Sequence, residues 1–380
     1  MIMKTIVSKR ELKRIGEWSS QPGRKLLLYH NDPDGICSAA QWLTAWPDFE
    51  PIAREGPVMQ PGFVRWLADQ QPDVLVFLDL PVDQEAKKLA WLQEQRPDLN
   101  IIVIDHHIPD SNLGSSKGNI IHVNNKFIAG LKGKYLPAAW LVYIILEDMG
   151  ELEGKKEIKK QLKQKLEQIK WVAGAGIIGD YGQKDCAGFF KGMKGRQTGM
   201  KVMEKAADLI SAAVTLKGRQ GADRVLKILL REARQGSING FVGRSTLQIW
   251  KGFVDTEVKK TLKEFKKEGE EFKGPKRLNV SMFRIRSKLN IVSVISTILS
   301  EKHPNRIILI YKLSHKGMWK VSGRLQSGRR DLGTLFKKAV KGIGTGGGHR
   351  QAAGARVKDW ERFKRRVMEE LGVSRGKGKG

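Results

Sequence analysis

Three short apolar runs, each breaking off into acidic and imidazole side chains, dominate the first third of the chain. Lys25-Leu26-Leu27-Leu28-Tyr29 leads into His30-Asn31-Asp32-Pro33-Asp34, Asp73 to Leu78 leads into Asp79, and Asn100 to Ile104 leads into Asp105-His106-His107. Runs this short and this continuously apolar read as strands buried on both faces. Helical segments alternate with them from Lys25 to about Asn124, the βαβ rhythm of a doubly wound parallel sheet. In such a sheet the ligand site lies off the carboxyl ends of the strands. His30, Asp32, Asp34, Asp79, Asp105, His106 and His107 are therefore expected on one rim, where so many carboxylates repel one another unless cations sit among them.

Beyond the sheet the pattern turns helical. Asp34-Gly35 turns into a short apolar helix over Ile36 to Trp46, and Pro137 to Asp148 predicts a buried helix closing at Gly150. Glu151 to Lys170 predicts a charged helix with Ile158, Leu162, Leu166 and Ile169 on one face. The small residues from Trp171 to Gly179 allow close packing and end on Asp180, one more carboxylate for the rim. Two or three helices are expected between Met200 and Phe241, clearest at Ala206 to Val214 and Arg224 to Arg231. An exposed helix over Val254 to Phe272 is expected to end at Gly274-Pro275. Leu278 to Ile285, Asn305 to Tyr311 and Trp319 to Arg324 then predict strands around a helix at Ile291 to Ser300. The expected layout is a first domain over 1–250, a linker helix over 251–274, a smaller α/β domain over 275–373 with a cleft between the two domains, and a basic tail over 374–380.

Charge divides the chain the same way. Residues 1–150 hold 16 Lys and Arg against 18 Asp and Glu, net −2, whereas the remainder holds 53 against 22, net +31. A basic surface of that size attracts polyanions, of which nucleic acid is the usual soluble one. Two cysteines, Cys37 and Cys186, are too few for a disulfide framework and lack zinc-ligand spacing. With neither a membrane span nor a signal-peptide core, a soluble cytoplasmic protein is expected.

The rim offers donors for two divalent ions, which together generate a nucleophilic water and neutralise an anionic phosphate. Mixed imidazole and carboxylate donors without thiolate suit Mn²⁺, with Mg²⁺ or Co²⁺ as lesser options. In order and context, His30-x-Asp32-x-Asp34-Gly35, Asp79, Asp105-His106-His107 and Asp180 resemble the four motifs of the DHH phosphoesterases. Gly346-Gly347-Gly348-His349-Arg350-Gln351-Ala352-Ala353-Gly354 resembles the Gly-rich signature of the associated DHHA1 domain, and Val321-Ser322-Gly323-Arg324 its arginine-bearing strand. Carried over by motif position, the resemblance implies that Asp79 bridges the ions, that His30 and Asp32 complete one site, and that Asp34, His106 and Asp180 form the other. It also implies that Asp105 orients the histidines and that His107 faces the scissile phosphate as donor or general acid.

Three consecutive glycines expose backbone N–H groups and admit an anion closely, so Gly346, Gly347 and Gly348 are expected to form a substrate-binding loop with His349 and Arg324. The loop matches neither a Walker nor a Rossmann motif. The leading expectation is a RecJ-like exonuclease that degrades single-stranded DNA or RNA from an end to mononucleotides. Alternatives on the same fold are an oligoribonuclease or 3′-phosphoadenosine 5′-phosphate phosphatase, or an inactive subunit that binds a replication or repair protein. Bacterial RecJ carries an extra OB-type domain for which this chain leaves no room after the Gly-rich motif, so the layout is more similar to the compact archaeal RecJ-like proteins. Grip on long strands would then come from the basic surface of residues 184–275 or from a partner.

Overall fold

The computed structural model describes residues 6–114, 118–152, 156–191, 199–314 and 317–373, so the basic tail at 374–380 lies outside it. The chain divides into two compact units, Met1–Lys251 and Gly252–Gly380.

The first unit opens with α1 (Lys9–Ser20), started by a capping box in which Ser8 and Glu11 satisfy each other's backbone N–H groups. There follow β1 (Lys25–His30), α2 (Pro33–Ala45), β2 (Glu50–Arg54), α3 (Pro61–Asp69), β3 (Val74–Leu78), α4 (Ala86–Gln95), β4 (Asn100–Asp105) and β5 (Ile120–Asn124). The five strands form one sheet in the order β2-β1-β3-β4-β5, and every pairing is parallel. Leu28 pairs with Phe77 and Phe77 with Val103, so β1, β3 and β4 end level with one another. Both faces of the sheet are covered. One apolar cluster joins Leu27, Val76 and Ile102 to α2 and the later helices, and a second joins Leu26, Leu75 and Ile101 to α3 and α4.

Helices α5 (Ala138–Leu152), α6 (Lys156–Gly179), α7 (Ala187–Phe190), α8 (Met200–Lys217), α9 (Arg219–Arg234) and α10 (Ile238–Val242) follow. The charged segment and the small-residue segment expected as separate pieces are one helix, α6, whose small half lies deepest. A Cβ at Gly176 would come within 2.6 Å of Ala139 Cβ and 2.9 Å of Cys37 Cβ, and one at Gly179 within 2.4 Å of Pro33 Cβ. The glycines thus let α6 approach α2 and α5 at near-backbone distance. Leu166 and Ile169 are buried as expected; the side chains of Ile158 and Leu162 lie outside those described.

Helix α11 (Ser245–Glu268) runs into the second unit, which continues with β6 (Glu270–Lys273), β7 (Asn279–Arg284), α12 (Val292–Lys302), β8 (Arg306–Leu313), β9 (Trp319–Arg324), α13 (Leu332–Ala339), β10 (Gly344–Gly348), β11 (Ala352–Val357) and α14 (Trp360–Leu371). Its six-stranded sheet has the order β10-β11-β9-β8-β7-β6. Two expectations are corrected. The helix expected to reach Phe272 stops at Glu268, and Glu270–Lys273 pairs antiparallel with β7, burying Phe272. The expected glycine loop is a strand: Gly346, Gly347 and Gly348 pair with Ala355, Gly354 and Ala353 on the sheet's edge. At the two ends of the strand backbone leaves no room for a side chain, since a Cβ at Gly344 would meet Arg356 O at 2.1 Å and one at Gly348 would meet Ala352 O at 2.4 Å.

Candidate metal centre

Parallel register brings the three motif-bearing strands to one edge. His30 closes β1, Asp105 closes β4, and Asp79 follows β3 directly. Asp79 N donates to Ile104 O at 2.9 Å, and the residue takes a left-handed backbone with φ of 58°. A non-glycine residue held there is strained, and such strain persists only where the surroundings over-determine it. The turn lifts the Asp79 carboxylate off the strand line into the space between its neighbours. Asp32 caps α2, with Oδ1 accepting from Gly35 N at 3.0 Å. The glycine is obligatory for that turn, because a Cβ at Gly35 would lie 2.2 Å from His30 O.

Around Asp79 the donors fall into two groups. On one side His30 Nδ1 lies 2.8 Å from Asp32 Oδ2 and 3.3 Å from Asp79 Oδ2. On the other, His106 Nε2 lies 3.3 Å from Asp79 Oδ1, 3.3 Å from Asp180 Oδ2 and 3.7 Å from Asp34 Oδ2. Donor atoms of His30, Asp32 and Asp79 fall within 4.8 Å of one another, as do those of Asp34, His106 and Asp180, and those of Asp79, His106 and His107. Asp34, Asp79, Asp105 and His106 are buried.

Every rim residue expected from the sequence is therefore in one place, and each is held by a neighbour. Asp34 Oδ2 and Oδ1 accept from Ala138 N and Ala139 N, both at 2.7 Å, at the amino end of α5, where the helix dipole favours a negative charge. Asp105 grips His107 twice, Oδ1 at 2.7 Å from Nδ1 and Oδ2 accepting from the backbone N at 3.1 Å. Asn124 Nδ2 donates to His107 O at 2.9 Å. Tyr135 OH donates to Asp180 Oδ2 at 2.7 Å, and its ring stands edge-on to His106 at 5.1 Å. Tyr135 and Asn124 carry no motif signal in the sequence; only contact reveals them.

The electrostatics of the site are those of crowded acids. Burial, then the charges of Asp79 and Asp180, push the Asp34 carboxyl well above its usual range. Burial also raises Asp180, which His106 counteracts and Asp79 and Asp32 reinforce, leaving it at about 6. Asp79 goes the other way: burial alone would raise it, but the His106 and His30 imidazoles hold it far below the ordinary carboxylate value. Burial works to lower the imidazoles, yet Asp32 and Asp79 hold His30 well above 6.5, Asp180 and Asp79 raise His106, and Asp105 brings His107 up to about 9. Protons on the histidines thus compensate the carboxylates. A divalent cation fits the same place. The donors are imidazole and carboxylate without thiolate, and Asp79 Oδ1 is buried with no hydrogen bond of its own.

A positive margin borders the acidic rim. His30 pairs in register with Arg54 at the end of β2. The Arg54 guanidinium lies over the Phe63 ring at 3.8 Å and donates to Val58 O at 2.8 Å, while burial and the nearby Arg219 depress its pKa.

In the second unit Arg324 ends β9, donating from Nε to Thr297 Oγ1 at 3.3 Å and from Nη1 to Gly323 O at 3.1 Å. Ala352, which opens β11, pairs with Arg324. His349 lies in the turn between β10 and β11, its N donating to Ala352 O at 2.7 Å and its O accepting from Gly333 N at 3.1 Å. Arg324, the triple glycine and His349 thus gather around the β10–β11 end of one sheet. Residues 280–371 match the family model of the DHHA1 domain. The second unit contains a DHHA1 domain. The whole chain has the DHH/DHHA1 fold of RecJ. It superposes on exonuclease RecJ bound to manganese with a TM-score of 0.68 and 17% identity, covering 98% of this chain and 95% of that one. RecJ from Thermus thermophilus in complex with Mn²⁺ gives the same score and identity over 98% of this chain and 55% of that one. A DHH domain from a member of a family of ribosomal proteins gives a TM-score of 0.65 at 15% identity, covering 98% and 94%. No protein of curated function matches in sequence. Among the described residues no helix is long and apolar enough to cross a membrane.

Proposed function

We propose that the rim is a two-metal phosphodiesterase centre and that the chain is a RecJ-like exonuclease, releasing mononucleotides from one end of single-stranded nucleic acid. The observation that carries this reading is the pair of donor groups meeting on Asp79, whose Oδ2 faces His30 and Oδ1 faces His106, each at 3.3 Å. In this reading His30 and Asp32 would hold one ion, Asp34, His106 and Asp180 the other, and Asp79 would serve both. Mn²⁺ suits the donor set best, with Mg²⁺ or Co²⁺ as lesser options. When bound, such a pair supplies Lewis acidity to the phosphate and lowers the pKa of the attacking water.

The chain's own groups do the rest. Asp105 accepts from Nδ1 of His107 and favours the doubly protonated ring, whose Nε2 can then donate toward the scissile phosphate and its leaving oxygen. Tyr135 steadies Asp180 through its hydroxyl. Arg324 and His349 would bind the nucleotide near the strand end, with the outer edge of β10 offering backbone N–H groups to phosphate.

Incubating the purified chain and Mn²⁺ with end-labelled DNA and RNA single strands of graded length tests the reading. It expects mononucleotides from one end. Internal cleavage, or no hydrolysis of any strand with either Mn²⁺ or Mg²⁺, overturns it, and a clear preference for dinucleotides moves the chain to the oligoribonuclease branch.

A further inference from the structure

Helix α9 buries one face and charges the other. Ala222, Val225, Leu226, Leu229 and Ala233 are buried, whereas Arg224, Lys227, Arg231 and Arg234 are exposed. At 3.6 residues per turn these four cations span an arc of about 80° and a length of about 15 Å. The acids of the same helix are spent inward. Asp223 accepts from Tyr29 OH at 3.3 Å, and the buried Glu232 is engaged by Arg244 as well as by Arg231 at 3.3 Å. Among the described residues no ion pair engages Arg224, Lys227 or Arg234. Like charges at i,i+3 and i,i+4 spacing repel, so the stripe costs the free helix a few tenths of a kcal/mol per pair. A polyanion reverses that sign.

The stripe also has a direction. The Tyr29–Asp223 bond and the closeness of Arg219 to Arg54 set the first turn of α9 beside the ends of β1 and β2, next to His30. From there Arg224 to Arg234 lead away from the rim within the same unit.

We infer that this stripe is the track along which the sugar–phosphate backbone of a single strand runs as it is fed to the rim. This rests on the nuclease reading and adds to it where the uncut part of the substrate lies. Contacts to phosphate alone carry no base preference, so the track accepts any sequence.

The test measures binding of a fluorescein-labelled 20-nucleotide single strand to the full chain without turnover, in EDTA, across a salt series. The variant R224Q/K227Q/R234Q is compared with wild type and with K9Q/R10Q/K13Q, which removes the same charge from the exposed face of α1. Each phosphate contact on a single strand contributes about 0.7 to the slope of log affinity against log salt, so three lost contacts flatten it by about 2. The α9 variant is expected to show that loss, to lose more affinity for a 20-mer than for a 4-mer, and to keep the wild-type melting temperature; the α1 variant keeps the wild-type slope. Equal slopes for all three proteins, or equal flattening by both variants, overturn the track while leaving the nuclease reading to its own hydrolysis assay. A chain that binds strands through α9 yet cuts none sinks the nuclease reading alone. Loss of affinity for an acidic peptide of equal charge, with none for the strand, assigns the stripe to a protein partner and overturns the proposal.

Discussion

Asp79 Oδ1 faces His106 Nε2 at 3.3 Å while the other oxygen of the same carboxylate faces His30 Nδ1 at the same distance, so one side chain joins both halves of the rim. Among the described residues no other carboxylate of the rim is placed to do so. Asp34 is held by the α5 amino end, Asp105 is turned to His107, and Asp180 lies with Tyr135. Asp79→Asn keeps the shape of the side chain and halves its capacity as a bridge. Hydrolysis is expected to fall to background, with the metal-free protein still folded but melting at a lower temperature, because the His30 and His106 imidazoles lose the buried charge they are paired with. Substantial turnover by the folded variant would remove Asp79 from the centre.

The two grips of Asp105 on His107 predict a graded pair of effects. His107→Ala removes a proton donor without removing a group needed to hold an ion in the proposed arrangement, so the rate falls by about 10²- to 10⁴-fold at unchanged metal content. Asp105→Asn leaves the imidazole in place with the wrong partner, costing about 10- to 100-fold. Combining the two should cost little more than His107→Ala alone, because Asp105 acts through that imidazole. Multiplicative losses in the double variant would show that Asp105 has a separate task.

The site's proton inventory sets the pH behaviour of the metal-free chain. Asp180 is raised to about 6 and His107 to about 9, with Asp34, His30 and His106 raised as well. Each of these groups holds protons more tightly folded than unfolded. The stability from Asp180 is therefore lost as pH rises through about 6, and that from His107, complete below 6.5, is lost as pH rises through about 9. Asp79 and Asp105 are depressed, so their contribution fails only on the acid side. The melting temperature of the EDTA-treated protein should fall between pH 6 and 9, and Mn²⁺ should flatten that fall because it takes the place of the protons. Calorimetry in buffers of different ionisation enthalpy should show net proton release on loading. Uptake of protons, or a metal-free protein that gains stability over this range, would contradict the inventory.

The rim is legible from sequence because each of its strands is buried on both faces and stops on polar residues, so the apolar run itself marks where the chemistry begins. Leu26 to Tyr29 and Val74 to Leu78 are buried throughout. The same logic fails in the second unit. Phe272 is the one buried residue of β6, and β10 has only Thr345 among its glycines to carry a pattern, so a helix and a loop are the natural readings of those segments. Tyr135 is invisible for a different reason: its hydroxyl meets Asp180 across 45 residues of chain, and no spacing rule connects them. The sequence places a basic surface within residues 184–275 but not the helix face that carries it, because charge totals count cations without saying that the acids beside them turn inward.

In the second unit, the proposed substrate binding and folding can be separated at a single glycine. Gly348 takes φ of 143° and faces Ala352 O, so a side chain there is strained for structural reasons alone. Gly347 has open space where its Cβ would stand and is not in the left-handed region. Gly347→Ala is therefore expected to keep the melting temperature within a degree or two, the scale of a near-neutral surface change. If the edge of β10 receives phosphate as proposed, the added methyl group occupies the approach and raises KM, with kcat and metal content little changed. Arg324→Ala and His349→Ala should shift KM in the same direction. Gly35→Ala is the contrasting case, because the new Cβ would meet His30 O at 2.2 Å, a backbone atom that cannot swing aside. Overpacking of that kind costs about 1 to 3 kcal/mol, more than the roughly 1 kcal/mol that alanine gains over glycine in a helix, so the melting temperature drops. Measured together, the two variants separate a glycine required by substrate from a glycine required by the chain, and an unchanged KM for Gly347→Ala would remove the β10 edge from the binding site.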